Sequence, residues 1–250
     1  MTTNPWLPSA PQTSDARLRL FCLPYAGGGA LLFRPWAGAA PRDIQICAVQ
    51  LPGREHRLME PAFTRMDALI PALRDAIAAH LDRPFAIFGH SMGALMAFEL
   101  TRALRRAGVR LPQQLFLSAH RAPQLPDRRA PIHTLPDEQL WEQLRRLDGT
   151  PEEVLANREL MELITPTLRA DFELCETFEL AKEPPLDIPF RLFGGTEDPN
   201  VDEPDLEAWR EHTTAALRVS MLPGGHLFLQ QQQREVFTAI LHDLRSAPVS

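Results

Sequence analysis

The sequence has few of the features that mark secreted, membrane-embedded or nucleic-acid-binding proteins. It contains 3 cysteines among 250 residues, and Cys22, Cys47 and Cys175 form no metal-binding or redox spacing. No apolar run approaches the ~20 residues of a membrane span, and the first residues lack the basic and apolar regions of a secretory signal. The net charge of −6 argues against general nucleic-acid binding. We therefore expect a cytoplasmic protein that binds neither nucleic acid nor membrane, with a monomer as the default state.

Composition and length fit one globular domain. Hydrophobic residues make up 44% and charged residues 23% of the chain, so a sizeable core can form without disulfides. Residues 1–17, rich in Pro, Thr and Ser, predict a flexible lead-in, which leaves residues 18–250 for the domain. Short apolar runs bounded by Gly, Pro or charge then predict buried parallel strands. These runs lie at residues 18–23, 44–51, 85–89, 115–119, 190–194 and 217–222.

Amphipathic segments lie between most of these strands. Apolar residues at 66, 69, 70, 73 and 77 form one stripe at helical spacing, and a similar stripe covers residues 236–244. Alternating strands and helices predict an α/β fold, in which a mostly parallel, twisted sheet is flanked by helices.

The interval from residue 120 to residue 185 contains no convincing strand. Leucines at 140, 144 and 147, and apolar residues at 160, 163, 164 and 168, have helical spacing, and residues 150–153 read TPEE, a strong helix start. Because ligands bind at the carboxyl ends of strands in open α/β sheets, a helical insertion there is a candidate lid. The alternative is a helical subdomain with no gating role.

The most informative motif is GHSMG at residues 89–93, which fits G-x-S-x-G. It lies where the predicted strand at 85–89 gives way to a helical run, and this is the setting of a nucleophile elbow. Small residues on both sides allow the sharp turn, and the helix N-terminus favours negative charge near the serine. We therefore predict Ser91 as a nucleophile.

A serine hydroxyl needs a base, and the base needs an orienting carboxylate. In this arrangement the partners follow in the order serine, acid, histidine, each after a later strand. His226 lies in a glycine-rich loop after the last predicted strand, and Asp198 follows the strand before it. Glu197 is a close rival of Asp198, and one sequence does not separate the two. His90, inside the elbow, is predicted to have a structural or packing role.

The tetrahedral intermediate of such a reaction needs two N–H donors. One is the backbone N–H of Met92, the residue after the nucleophile. The other is expected from the glycine-rich loop at residues 24–29, where Ala26 is favoured and Tyr25 is the alternative. The chemistry requires neither a metal nor a cofactor. Cys175 is a weak candidate for a second nucleophile, because no partner lies near it in sequence.

These motifs resemble the type II (external, editing) thioesterases of polyketide and nonribosomal peptide pathways, and the resemblance runs from about residue 18 to residue 244. The matching segments read LPYAGG at 23–28, QLPGRE at 50–55, GHSMG at 89–93, GGTED at 194–198, PGGHLF at 223–228 and, in the insertion, LDGTP at 147–151 and LRADF at 168–172.

The resemblance implies an α/β-hydrolase fold with a helical lid. It also implies hydrolysis of acyl groups from the phosphopantetheine thiol of acyl or peptidyl carrier domains. The family's triad maps onto Ser91, Asp198 and His226, and its oxyanion donors map onto Ala26 and Met92. Arg54 matches the family's Pro-Gly-Arg, but sequence reasoning gives it no chemical role, and a structural or surface role is favoured.

Two other functions fit the same motifs. A small-molecule carboxylesterase or lipase would share the triad chemistry, and a non-catalytic carrier-binding protein would share the fold. The resemblance also implies an acidic carrier as the partner, which basic residues on and near the insertion could meet. The alternative is that they are solvated or paired locally. These residues are Arg121, Arg128, Arg129, Arg145, Arg146 and Arg158.

Overall fold

The structure, a computed structural model, describes residues 4–8, 16–146 and 152–246. A six-stranded sheet forms its centre, with the order β2-β1-β3-β4-β5-β6 and every neighbouring pair parallel. The strands are β1 (Leu18–Leu23), β2 (Ile44–Ala48), β3 (Phe85–His90), β4 (Leu115–Ser118), β5 (Phe190–Gly195) and β6 (Leu217–Leu222). Every residue of β1 to β4 is buried, as expected for strands covered on both faces.

All six predicted strands are present, and most bounds agree within one residue. The exception is β2, which ends at Ala48 although the apolar run continues to Leu51. The buried Gln50 donates its backbone N–H to the carbonyl of Trp6 instead of to a neighbouring strand. Residues 4–8 of the predicted lead-in therefore contact the domain, and Leu7 is 5% exposed.

Helices cover both faces of the sheet. One core cluster joins β-strand side chains to α2, α3 and α7, and a second joins the opposite face to α1 and α8. The helices are α1 (Arg34–Ala39), α2 (Met66–Ile77), α3 (Met92–Arg106), α4 (Asp137–Arg146), α5 (Glu152–Leu155), α6 (Arg158–Glu176), α7 (Glu203–Glu207) and α8 (Leu229–Ser246). No helix in the described part of the chain is both long enough and apolar enough to span a membrane.

The segment between β4 and β5 is helical where it is described. It contains α4, α5 and α6, which share a small core of their own formed by Leu140, Leu144, Leu155 and Met161 among others. The side chain of Asn157 caps α6 by accepting the N–H of Leu160. The predicted helix start at 150–151 and the stripe position 147 lie outside the described residues.

Candidate active site

The backbone around Ser91 makes the turn that the motif predicts. Ser91 joins the end of β3 to the start of α3 with φ 53° and ψ −118°, a conformation that L-residues rarely adopt. A Cβ atom at Gly89 would overlap the backbone of Gly93, and one at Gly93 would overlap the carbonyl of Leu23. Glycine is therefore required on both sides of the serine, because backbone atoms fill the space that any side chain would need.

Three side chains that are far apart in sequence form a continuous hydrogen-bonded chain. The Oγ of Ser91 lies 2.8 Å from Nε2 of His226, and Nδ1 of His226 lies 2.8 Å from Oδ2 of Asp198. The side chain of Asp198 is fully buried, and that of His226 is 17% exposed. This is the arrangement in which an imidazole can take a proton from a hydroxyl while a carboxylate fixes its tautomer.

The structure separates Asp198 from its sequence rival. Glu197 is exposed, and among the described residues only its backbone N–H is hydrogen-bonded, to the carbonyl of Gly224. Asp198 instead turns inward, and its Oδ1 accepts the backbone N–H of Asn200 at 2.8 Å. The contact with His226 is therefore made by Asp198 and not by Glu197.

His90 holds the loop of His226 from below. It is fully buried, its Nε2 lies 3.0 Å from the carbonyl of His226, and its Nδ1 lies 2.8 Å from Oγ of Ser118. Burial lowers the pKa of His90 to about 3, so the ring is neutral. Because a carbonyl only accepts, Nε2 carries the proton and Nδ1 accepts from the Ser118 hydroxyl. The structural role predicted for His90 is consistent with these contacts.

The two predicted oxyanion donors lie beside the nucleophile. Ala26 and Met92 line the same cavity as Ser91 and His226. Within the described residues, the backbone N–H groups of Ala26 and Met92 donate to no protein acceptor. They are thus free to donate to an oxygen that develops negative charge there. The same holds for Tyr25, so the choice of Ala26 over Tyr25 stays a prediction.

A cavity of about 460 Å³ extends from Ser91 to the inserted helices. Apolar side chains from α4, from α6 and from the segment just after α6 form much of its wall, and these are Leu144, Leu168, Phe172 and Phe178. A chamber that begins at the nucleophile and has this apolar wall suits the chain of an acyl group.

Cys175 also lines this cavity, but its thiol is not activated. Burial and the carboxylates of Asp171, Glu176 and Asp127 raise its pKa well above the usual range. The thiol is therefore protonated at neutral pH and is a poor nucleophile.

Sequence reasoning did not single out His120, which also lines the cavity. It lies two residues after the end of β4, between the strands that lead to Ser91 and Asp198. Its Nδ1 lies 2.7 Å from the carbonyl of Arg121, and burial lowers its pKa to about 4. The ring is therefore neutral, with the proton on Nδ1. The order of the strands in the sheet brings His120 to the cavity. The sequence around one histidine in a loop does not reveal that order.

Arg54 is buried, so the surface alternative for this residue is wrong, and its contacts are consistent with the structural one. It is 6% exposed and forms a two-point ion pair with Asp171 of α6, at 2.6 and 2.8 Å. Removing one partner of a buried pair leaves an uncompensated charge and typically costs ~3–5 kcal/mol. Sequence offered no signal for this pair, because 117 residues separate its members.

Most of the basic residues considered for carrier binding are engaged locally. Arg145 and Arg146 pair with Glu142, Arg158 pairs with Glu162, and both Arg121 and Arg128 pair with Asp205. Arg129 forms no ion pair within the described residues. The local-pairing alternative therefore describes five of the six positions, because only Arg129 has a charge without a partner here.

Comparison with known proteins agrees over almost the whole chain. The thioesterase domain family matches residues 18–244. The gramicidin S biosynthesis protein GrsT of Aneurinibacillus migulanus is 43% identical over 242 residues, which cover 97% of this chain and 94% of GrsT. The solved RedJ thioesterase, from the prodiginine biosynthetic pathway in Streptomyces coelicolor, is 37% identical with a TM-score of 0.86, covering 96% of this chain and 98% of RedJ. BorB, the type II thioesterase of the borrelidin biosynthetic cluster, is 36% identical with a TM-score of 0.85, covering 93% and 94%.

The parallel sheet, its flanking helices and the strand–serine–helix turn define an α/β-hydrolase, which confirms the predicted fold class. Within that class, the chain belongs to the thioesterase domain family. Its relatives include BorB and also YbtT, the type II thioesterase of the yersiniabactin nonribosomal peptide and polyketide pathway, so the resemblance seen in the sequence is also confirmed.

Proposed function

We propose that this thioesterase hydrolyses acyl groups from the phosphopantetheine thioester of acyl or peptidyl carrier proteins, through an acyl-enzyme on Ser91. The observation that carries the proposal is the hydrogen-bonded chain from Ser91 through His226 to Asp198, beside a cavity that is walled in part by apolar side chains. The family match supports thioester chemistry, and the pathways named for GrsT, RedJ and BorB support a carrier-bound substrate.

The first half-reaction forms the acyl-enzyme. The Oγ of Ser91 attacks the thioester carbonyl carbon while Nε2 of His226 takes the hydroxyl proton, and Asp198 stabilises the imidazolium. The N–H groups of Ala26 and Met92 hold the oxyanion, and the loss of one such donor costs ~3 kcal/mol. As the carbon–sulfur bond breaks, the thiol leaves with the proton from His226. Its ordinary pKa of about 8.5 makes it a good leaving group.

The second half-reaction frees the acid. Water attacks the acyl-serine carbonyl while His226 takes a proton from it, and the proton then returns to Ser91 as the ester bond breaks. The proposed steps use protein groups and water, and the phosphopantetheine arm belongs to the partner. The insertion that covers the cavity is proposed as a lid. Cytoplasmic location and the monomeric state stay predictions from the sequence.

The substrate class is tested by relative rates on matched thioesters and oxygen esters. We expect acyl-pantetheine and acyl-carrier thioesters to react with higher kcat/KM than oxygen esters of the same acyl group. Faster turnover of oxygen esters, with carrier thioesters left intact, would favour the carboxylesterase alternative. An active-site serine probe that fails to label Ser91 would favour the non-catalytic alternative.

A further inference from the structure

The loop that carries Ala26 is tied to α6 by buried charge. Oδ2 of Asp171 accepts the backbone N–H of Gly27 at 2.7 Å and also lies 2.6 Å from Nη1 of Arg54. Nη2 of Arg54 binds the other carboxylate oxygen at 2.8 Å, and both side chains are almost fully buried. The Arg54 side chain also donates hydrogen bonds to the carbonyls of Pro52 and Gly28, both at 3.2 Å.

The hydrogen bond from Gly27 to Asp171 lies at the centre of a tight backbone turn. The N–H of Gly28 donates to the carbonyl of Tyr25 at 2.9 Å, so Ala26 and Gly27 are the central residues of a tight turn. Gly27 has φ +78°, close to the value of about +80° at the third position of a type II turn. Type I and type II turns differ by a rotation of the central peptide, and the N–H of that peptide belongs to Gly27. An acceptor for this N–H therefore selects one of the two turns.

We infer that Asp171, held by Arg54, is a positioning residue for the oxyanion donor. By accepting the Gly27 N–H, its carboxylate holds this turn in place and with it Ala26, which lines the cavity beside Ser91. Without the acceptor the turn can shift relative to Ser91, and the fraction of molecules in which the Ala26 N–H is placed to donate falls. The rate then falls by the same factor, because only the competent fraction reacts. This inference rests on the proposed role of Ala26.

Arg54 acts through Asp171 and not on the substrate. Its two-point contact fixes the plane of the carboxylate, which a single point charge would leave free to rotate. Its own position is fixed by the carbonyls of Pro52 and Gly28, which lie in the two loops that Asp171 approaches. The position of the turn at Ala26 and Gly27 therefore depends on the position of α6, which carries Asp171.

Two double variants separate this role from general stability. Arg54→Leu/Asp171→Asn and Arg54→Leu/Asp171→Leu both remove the buried pair, and both place a side chain of similar size at position 171. Only the first keeps a side-chain oxygen that can accept the Gly27 N–H. Thr167→Val is a matched control, since it removes a buried hydrogen bond from α6 to the carbonyl of Gly53 without touching Gly27.

We expect kcat of the Leu/Leu variant to be at least about tenfold below that of the Leu/Asn variant. The difference should not exceed the ~10²–10³-fold fall in kcat that complete loss of an oxyanion donor causes. KM should stay within about twofold, since the interaction is made in the transition state. The pH profile should not change, because the contacts of His226 are untouched. Equal kcat in the two double variants, or an equal loss in Thr167→Val, overturns the inference.

If the double variants do not fold, the single variant Arg54→Lys tests the positioning role. It keeps the charge but loses the two-point contact, and a kcat equal to that of the wild type would overturn the inference. The measurements use p-nitrophenyl acetate as well as acyl-pantetheine. Failure of the wild type on the thioester alone would count against the proposed function, whereas the comparison of variants on the activated ester still tests the turn.

Discussion

At the residue scale, Ser91 shows how much local strain the site holds. Its φ of 53° is unfavourable for an L-residue and persists only because the surrounding structure fixes it. The two flanking glycines fit where the backbones of β3, α3 and the loop after β1 meet. The hydroxyl is thereby held at the tip of the turn, within 2.8 Å of its base.

The requirement for glycine at 93 can be measured. We expect Gly93→Ala to lower the free energy of unfolding by more than about 3 kcal/mol, because the new Cβ overlaps backbone that cannot move aside. Gly38→Ala is the control: that glycine lies in α1 with open space around it, so the change should stabilise by about 0.5–1 kcal/mol. Urea unfolding gives both values. A Gly93→Ala protein as stable as the wild type would mean that the elbow is packed less tightly than described.

The structure brings the three side chains predicted for the triad into hydrogen-bonding contact. G-x-S-x-G carries its own local geometry, and the order of strands along the chain places Asp198 and His226 at the same sheet edge. Reasoning from the residues alone did not separate Asp198 from Glu197, because two adjacent carboxylates in a turn differ only in which one faces inward. Only the resemblance to the family pointed to Asp198. The pairing of Arg54 with Asp171 could not be predicted either, since nothing in the sequence around one residue indicates the other.

At the scale of elements, α4 and α6 form the far wall of the cavity. Sequence periodicity predicted both helices but not which of their apolar residues face inward. Leu163 belongs to the predicted stripe of α6, yet it is 54% exposed, whereas Leu144 of α4 is 4% exposed and lines the cavity. Which apolar residues face inward depends on how the insertion packs over the sheet. That packing depends on contacts such as the ion pair of Arg54 with Asp171.

Acyl-chain preference should follow from this wall. We expect Leu144→Phe to narrow the cavity and to lower kcat/KM for the longest accepted acyl chain at least about tenfold relative to acetyl, since one methylene can be worth 10-fold or more. Leu163→Phe is the control on the exposed face of α6. Kinetics across acyl-pantetheines from acetyl to long-chain give the answer. An unchanged chain-length profile in Leu144→Phe would show that this wall does not contact the acyl chain.

At the scale of the whole molecule, the parallel sheet places every predicted site residue at one edge. Buried strands were predictable because they read as continuous apolar runs between turn residues. The same packing fully buries His90 and partly buries His120 near that edge, where the pKa of His90 is about 3 and that of His120 about 4. Both values lie below the ordinary 6.5 of an unfolded chain, since burial disfavours the charged form.

These histidines make stability depend on pH in a defined direction. Below pH 6.5 the unfolded chain binds protons at both rings, while the folded protein binds none until about pH 4 at His120. The free energy of unfolding should therefore fall as the pH is lowered from 6.5 to 4, by up to ~1.4 kcal/mol per pH unit for each ring.

His120→Gln tests this dependence, because it can keep a donor for the Arg121 carbonyl but does not titrate. Urea unfolding between pH 7 and pH 4 should give a shallower slope for the variant, by about one proton's worth, ~1.4 kcal/mol per pH unit. Identical slopes in the two proteins would show that His120 titrates normally in the folded state.

The most direct test of the whole account is deacylation of an acyl-loaded carrier protein by Ser91→Ala, followed by the intact mass of the carrier. We expect the wild type to remove the acyl group and the variant to be at least ~10³-fold slower, with unchanged circular dichroism and melting temperature. A folded variant that still releases the acyl group at a rate within tenfold of the wild type would contradict the account.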